Sequence, residues 1–195
     1  MQKIRMGEFT NDIENCLKIL NTGGIILYPT DTVWGIGCDA TNQQAVEKIF
    51  ALKQRKDSKA MIILISEQMD IGRYVKAPDD KILNYVSQTS QPVTAVYENG
   101  INVAHSLISE DGTIAIRITI DEFCTALLNK FNKSLVSTSA NISGKPAPAI
   151  FKDISVEIKN GVDYIVQHRQ SDFRVAKASA IIRLNKEKEI VVLRS

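Results

Sequence analysis

Leu135-Val136 breaks abruptly into Ser137-Thr138-Ser139-Ala140-Asn141, and the chain then punctuates as a loop through Ser143-Gly144-Lys145-Pro146. A compact apolar lead with such an ending reads as the tip of a buried strand. In a sheet covered on both faces, the carboxyl end of a strand opens into a crevice, which is where ligands bind. Three hydroxyls and one carboxamide stand at this tip, all neutral and all able to donate or accept hydrogen bonds. They suit phosphates and small polar substrates. The plain alternative is a surface loop of turn-forming residues.

The rest of the chain alternates between helical and strand-like patterns. Asn11 is expected to cap a first helix, with Glu14 three positions on, and Gly23-Gly24 to end it. Ile25 to Tyr28 fits a buried strand. A helix follows from about Asn42, with Ala45, Val46, Ile49 and Leu52 inward, then a strand at Ile62 to Ile65 and a helix capped by Asp79. Val93 to Tyr97 and Thr113 to Thr119 read as strands. In the latter, Ile114, Ile116 and Ile118 share one face and Arg117 lies on the other. Asp121 can cap the helix before the strand at Ser134 to Thr138. A short helix near Asp153, a strand at Val162 to Val166, and a closing pair at Ser179 to Leu184 and Glu189 to Arg194 complete the pattern. Some strand pairs are too close for a helical crossover, so the expected fold is α/β, one domain over residues 1–195 with a mixed sheet.

At 195 residues the chain can bury one substantial core, and 44% hydrophobic with 24% charged residues is ordinary for a globular protein. A formal charge of +2 gives no electrostatic bias toward nucleic acid or anionic membrane. The start lacks the apolar core of a signal peptide, and the longest apolar run, Ala60 to Ile65, is too short to span a bilayer. A cytoplasmic protein with no membrane partner is expected. Cys16, Cys38 and Cys124 are odd in number without Cys-x-x-Cys spacing, which fits buried thiols in a reducing compartment. Cys38 follows Gly37 and is the one thiol placed to be a nucleophile, although neither His105 nor His168 stands in a supporting motif. No zinc site is expected.

Lys53, Arg55, Lys56 and Lys59 set four cations against Asp57. On an unbroken helix Lys53 and Arg55 would diverge by about 200°, so they can converge only if the helix ends near Gln54. A loop there would let them surround a polyphosphate; otherwise they are a solvated helix end complementing the macrodipole. Arg117 in mid-strand either faces solvent or anchors a carboxylate in a cavity. Thr30, Asp31 and Thr32 follow the first strand, with Pro29 setting its exit and Gly35 and Gly37 permitting close backbone approach. A simple turn with an Asx-type hydrogen bond at Asp31 is the local expectation. There is no Gly-x-x-x-x-Gly-Lys-Ser/Thr and no Gly-x-Gly-x-x-Gly, so a nucleotide site would use the basic cluster and the hydroxyl loop.

Gly23 to Ala40, with its Pro29-Thr30-Asp31-Thr32-Val33-Trp34-Gly35-Ile36-Gly37 core, Lys53-Gln54-Arg55 and Ser137 to Gly144 together resemble the YrdC-like family in its short single-domain form. That resemblance implies a twisted mixed sheet flanked by helices around a concave basic cavity. It also implies condensation of L-threonine, bicarbonate or CO2, and ATP into L-threonylcarbamoyladenylate, for the threonylcarbamoyl modification of tRNA. By the same resemblance Thr32, Arg117, Ser137 and Ser179 would bind L-threonine. Lys53, Arg55, Lys59, Ser139, Asn141 and Arg194 would bind ATP, with Mg²⁺ accompanying the nucleotide. No residue is expected to act as acid, base or nucleophile, and none as a dedicated metal ligand. The product would pass to a separate threonylcarbamoyl-transferase complex. The alternative is a non-catalytic module of the same fold that contacts double-stranded RNA or tRNA; carbamoyl transfer, as in larger relatives, is a third reading. The chain departs from the family pattern at Thr89-Ser90-Gln91-Pro92, where relatives read Trp-Pro-Gly-Pro. It departs again at Leu64 for a His, at Ala178-Ser179-Ala180 for Pro-Ser-Thr, and after Arg194, where a glycine is usual.

Overall fold

The computed structural model describes residues 8–55, 61–175 and 177–195. In chain order the elements are α1 (Thr10–Asn21), β1 (Ile26–Tyr28), β2 (Gly35–Gly37), α2 (Gln43–Leu52), β3 (Ile62–Ile65), α3 (Ile71–Tyr74), α4 (Asp80–Gln88) and β4 (Val93–Tyr97). They continue with β5 (Ile114–Ile118), α5 (Glu122–Phe131), β6 (Leu135–Ser139), α6 (Val156–Asn160), β7 (Tyr164–Ile165), β8 (Ala180–Leu184) and β9 (Ile190–Arg194). Among the described residues the strands form one mixed sheet in the order β7-β1-β2-β6-β3-β5-β4-β8-β9. β1–β7, β3–β5 and β4–β8 are parallel and the remaining neighbours antiparallel.

Local chemistry explains most boundaries. The side chains of Asn42, Asp79 and Asp121 cap α2, α4 and α5 by accepting from the amides of Ala45, Lys81 and Cys124. After α1, the amide of Gly24 reaches Ile19 O and that of Gly23 reaches Leu20 O, with Gly23 at φ 73°. This is a Schellman stop, and a left-handed residue there favours glycine. The start of α1 differs from the Asn11 cap expected. The N-cap is Phe9, without a side-chain bond. Phe9 is buried edge-on against Phe123, with ring centroids 5.6 Å apart, and that packing fixes the helix start ahead of exposed Asn11. β2 is a strand that the Gly-Ile-Gly sequence conceals. A Cβ on Gly37 would lie 2.5 Å from Val136 O and 2.7 Å from the Tyr28 ring, so only glycine fits beneath that tyrosine.

The register sorts the two faces. Ile63, Ile116 and Val136 align in the larger core, which α2, α3 and α4 cover with Ala45, Val46, Ile49, Ile71, Tyr74 and Ile82. On the opposite face Leu64 pairs with Arg117 and Leu135, and Ile62 with Ser137. α1 and α5 cover Ile26, Tyr28, Leu64 and Leu135 there with Ile13, Cys16, Phe123 and Leu127. The same face then runs on past those helices to Ser137, Ile62 and Arg117, which line a cavity. Among the described residues no helix is long and apolar enough to cross a membrane.

Candidate active site

The six residues between β1 and β2 form a folded hydroxyl turn. The Thr30 hydroxyl donates to Val33 O at 2.8 Å and accepts from the Thr32 amide at 3.0 Å. It therefore replaces the Asx-type bond expected at Asp31: the turn is closed by a hydroxyl, and the aspartate is spent elsewhere. With the Thr30 proton committed to Val33, the 3.0 Å contact between the two hydroxyls has Thr32 as donor. Thr32 Oγ1 also accepts from Arg117 Nη1 at 3.0 Å, which leaves it one acceptor position for a ligand. Arg169 secures the turn from behind, donating to Thr30 O at 2.8 Å and to Asp121 at 2.7 Å.

Arg117 is buried on the cavity face of β5, and its Nη2 lies 3.2 Å from Asp31 Oδ1. Thr94, directly across on β4, is fully buried and shares a 2.8 Å hydroxyl contact with Ser179. Ser179 O in turn accepts from Arg194 Nε and Nη2 at 3.2 and 2.8 Å. Burial, and then Arg117 nearby, push the Arg194 guanidinium below its ordinary range. Two guanidinium groups facing one space suit an anion.

That space is a cavity of about 410 Å³ on which Thr32, Arg55, Arg117, Ser137, Ser139, Ser179 and Arg194 converge. An open cavity of about 450 Å³ adjoins it, sharing Arg55, Thr138 and Ser139 and adding Lys53 and Asn141. Of the ten residues expected to bind ligands, nine thus lie around two connected spaces. Lys59 lies outside the described residues. α2 does end before Gln54, which has φ 51°, and this turn separates Lys53 from Arg55. Lys53 points inward, buried, and donates to Ser139 O at 2.5 Å and Asn141 O at 2.6 Å. Burial, and then Arg55, push its ammonium down to about 8, while the two carbonyls favour the charged form. The carboxamide of Asn141 donates to Ile142 O and Lys145 O, and its oxygen accepts the Ser139 hydroxyl at 2.5 Å. Lys53 and Asn141 therefore hold the hydroxyl loop in shape, beside whatever they offer a ligand.

Sequence reasoning missed Thr94 and Arg169. Thr94 left a weak signal, a hydroxyl inside an otherwise apolar strand; Arg169 left none. Cys38 is a core residue: it is fully buried, and burial pushes its thiol up, so it is no nucleophile. Cys16 and Cys124 are likewise buried free thiols.

A family model described as telomere recombination, Sua5/YciO/YrdC, matches residues 18–195. The threonylcarbamoyl-AMP synthase of Coxiella burnetii (strain RSA 493 / Nine Mile phase I) is 32% identical over 186 residues, covering 92% of this chain and 100% of that relative. The protein of the same name from Pseudoalteromonas translucida is 35% identical over 157 residues, covering 79% and 84%. Among solved structures, P. abyssi Sua5 complexed with L-threonine matches with a TM-score of 0.82 at 24% identity, over 93% of this chain and 53% of that one. This chain thus spans about half the length of that protein. E. coli YciO matches with a TM-score of 0.81 at 22% identity, over 95% and 89%. At these identities the two structures speak for the fold, and the sequence matches speak for descent: the chain belongs to the Sua5/YciO/YrdC family.

Proposed function

We propose that this protein is a threonylcarbamoyl-AMP synthase, as its relatives are named, and that residues 1–195 act as one catalytic domain. The observation that carries the reading is the single cavity joining four buried hydrogen-bonding side chains to the arginines Arg55 and Arg194. Threonine fits the buried part. Arg117 offers its remaining N–H groups to the carboxylate, and Thr32 offers a lone pair to an N–H of the amino group. Ser137 and Ser179 stand ready for the side-chain hydroxyl and the carboxylate.

Carboxylation of the amine by bicarbonate gives a carbamate and releases water. One carbamate oxygen then attacks the α-phosphorus of ATP, and pyrophosphate leaves. The reaction is a nucleotidyl transfer, which needs alignment and charge neutralisation rather than a protein nucleophile. Arg55, with Lys53 behind it, and Arg194 face the phosphates, and Ser139 and Asn141 shape the loop beneath them. Among the described residues no group of three His, Cys, Asp or Glu could hold a metal. Asp31 is committed to Arg117. Mg²⁺ would accompany ATP and add to the charge neutralisation that Arg55 and Arg194 supply at the phosphates. The labile adenylate would serve threonylcarbamoyl transfer to tRNA in the cytoplasm, through a separate transferase complex.

The test is pyrophosphate release by the purified protein with MgATP and bicarbonate, with and without L-threonine. Release that requires both threonine and bicarbonate is expected. Arg55→Ala should abolish it. Threonine-independent release, or none from folded protein, overturns the reading.

A further inference from the structure

Arg117 owes its orientation to a group outside the ligand set. Asp31 stands in the β1–β2 turn with its side chain 7% exposed, and it lines a separate cavity rather than the one that Arg117 faces. Its Oδ1 lies 3.2 Å from Arg117 Nη2, and its Oδ2 accepts from the Thr119 hydroxyl and the Ile120 amide, both at 3.4 Å. The guanidinium is thereby gripped at two corners, Nη1 by Thr32 and Nη2 by Asp31. Asp31 Oδ1 meets Arg117 as an ion pair outside hydrogen-bond geometry, and the buried Arg117 Nε has no hydrogen-bond partner among the described residues. A buried donor left unbonded is rare and calls for an explanation, here a guanidinium placed for its ion pair and its cavity edge.

We propose that Asp31 is a positioning residue for substrate recognition: it fixes the guanidinium of Arg117 so that its outer edge meets the carboxylate of the amino-acid substrate. Asp31 touches no substrate itself. Its charge also keeps Arg117 from being an uncompensated buried cation while the cavity is empty. The inference rests on the threonine reading above.

The test compares L-threonine with L-threoninamide, which lacks the carboxylate charge, in pyrophosphate release by the full chain. In the unaltered protein the amide should be used far less well. In Asp31→Asn, KM for threonine should rise about 10- to 100-fold, which corresponds to the loss of one aligned charged contact. KM for ATP should stay within about threefold, and discrimination against the amide should fall at least tenfold by the same measure. A merely structural role would lower turnover without changing that ratio. If Asp31→Asn does not fold, Asp31→Glu carries the test, because it keeps the charge but displaces it by one methylene; an intermediate ratio is expected. An unchanged ratio in the folded variant overturns the positioning role alone. No threonine-dependent turnover in the unaltered protein overturns the threonine reading, and this inference with it.

Discussion

Thr32, Arg117, Ser137 and Ser179, on the side of the cavity assigned to threonine, are all less than a tenth exposed, whereas on the phosphate side Arg55, Ser139 and Asn141 are half-exposed, Arg194 lies open at the rim and Lys53 is buried. The bonds differ as well. Arg117 to Thr32 and Thr94 to Ser179 each join residues 85 positions apart. Ser139 to Asn141 and Asn141 to Lys145 span two and four positions. One half is held across the sheet; the other is a loop closed on itself and pinned by a single residue, Lys53, 86 and 88 positions from Ser139 and Asn141. A small zwitterion of fixed shape rewards the first construction; a flexible polyphosphate tolerates the second.

The strongest way to break this contrast is to compare Arg117→Ala with Arg55→Ala. Both should abolish pyrophosphate release. Arg117→Ala leaves the Asp31 carboxylate, its side chain 7% exposed, without its cation and should cost the fold about 3–5 kcal/mol by denaturant titration. Arg55→Ala sits at a half-exposed position and should stay within about 0.5 kcal/mol of the unaltered protein. Equal losses of stability would erase the distinction.

Thr94→Val probes the threonine side more gently. It keeps the volume, removes one buried hydroxyl from Ser179, and should cost about 1 kcal/mol. KM for threonine should rise several-fold and KM for ATP remain unchanged; a shift in ATP alone would place Ser179 on the other side.

The effect of Lys53 is absent at neutral pH and shows only in alkali. Its folded pKa of about 8 lies below the ordinary 10.5, so the folded protein loses that proton before the unfolded chain does. Stability attributable to Lys53 is therefore flat below pH 8 and rises between about pH 8 and 10.5. Thermal midpoints across that range should climb more steeply for the unaltered protein than for Lys53→Met. Parallel curves would mean that the two carbonyls hold the ammonium charged.

Much of the molecule is legible in the residues because its signals are local. The caps at Asn42, Asp79 and Asp121, and the strands Ile62–Ile65 and Val93–Tyr97, follow from side chains acting on their own neighbours. The inward turn of Arg117 could be framed as one of two choices, because alternation puts it opposite three isoleucines. Which choice holds depends on how far α1 and α5 extend across that face, and no local pattern records this. Asp31 was invisible as the partner of Arg117 for the same reason, as was Arg169 at Thr30, 139 positions away. The start of α1 was misplaced because burial of Phe9 outweighs the capping preference of Asn11.

The sheet order also bears on how the protein comes into being. β6 is zipped between β2 and β3, two strands made long before it, and Ser179 and Arg194 arrive on β8 and β9. During synthesis the space beside the hydroxyl loop can form first, but the threonine side cannot close before Ser179 arrives. Until β8 has been made, β4 lacks one of its two neighbours and Thr94 its hydroxyl partner. So many distant pairings make for slow closure and exposed strand edges in the growing chain. A nascent chain would therefore remain inert toward its substrates until β8 and β9 are paired, with the hydroxyl loop already waiting beside them.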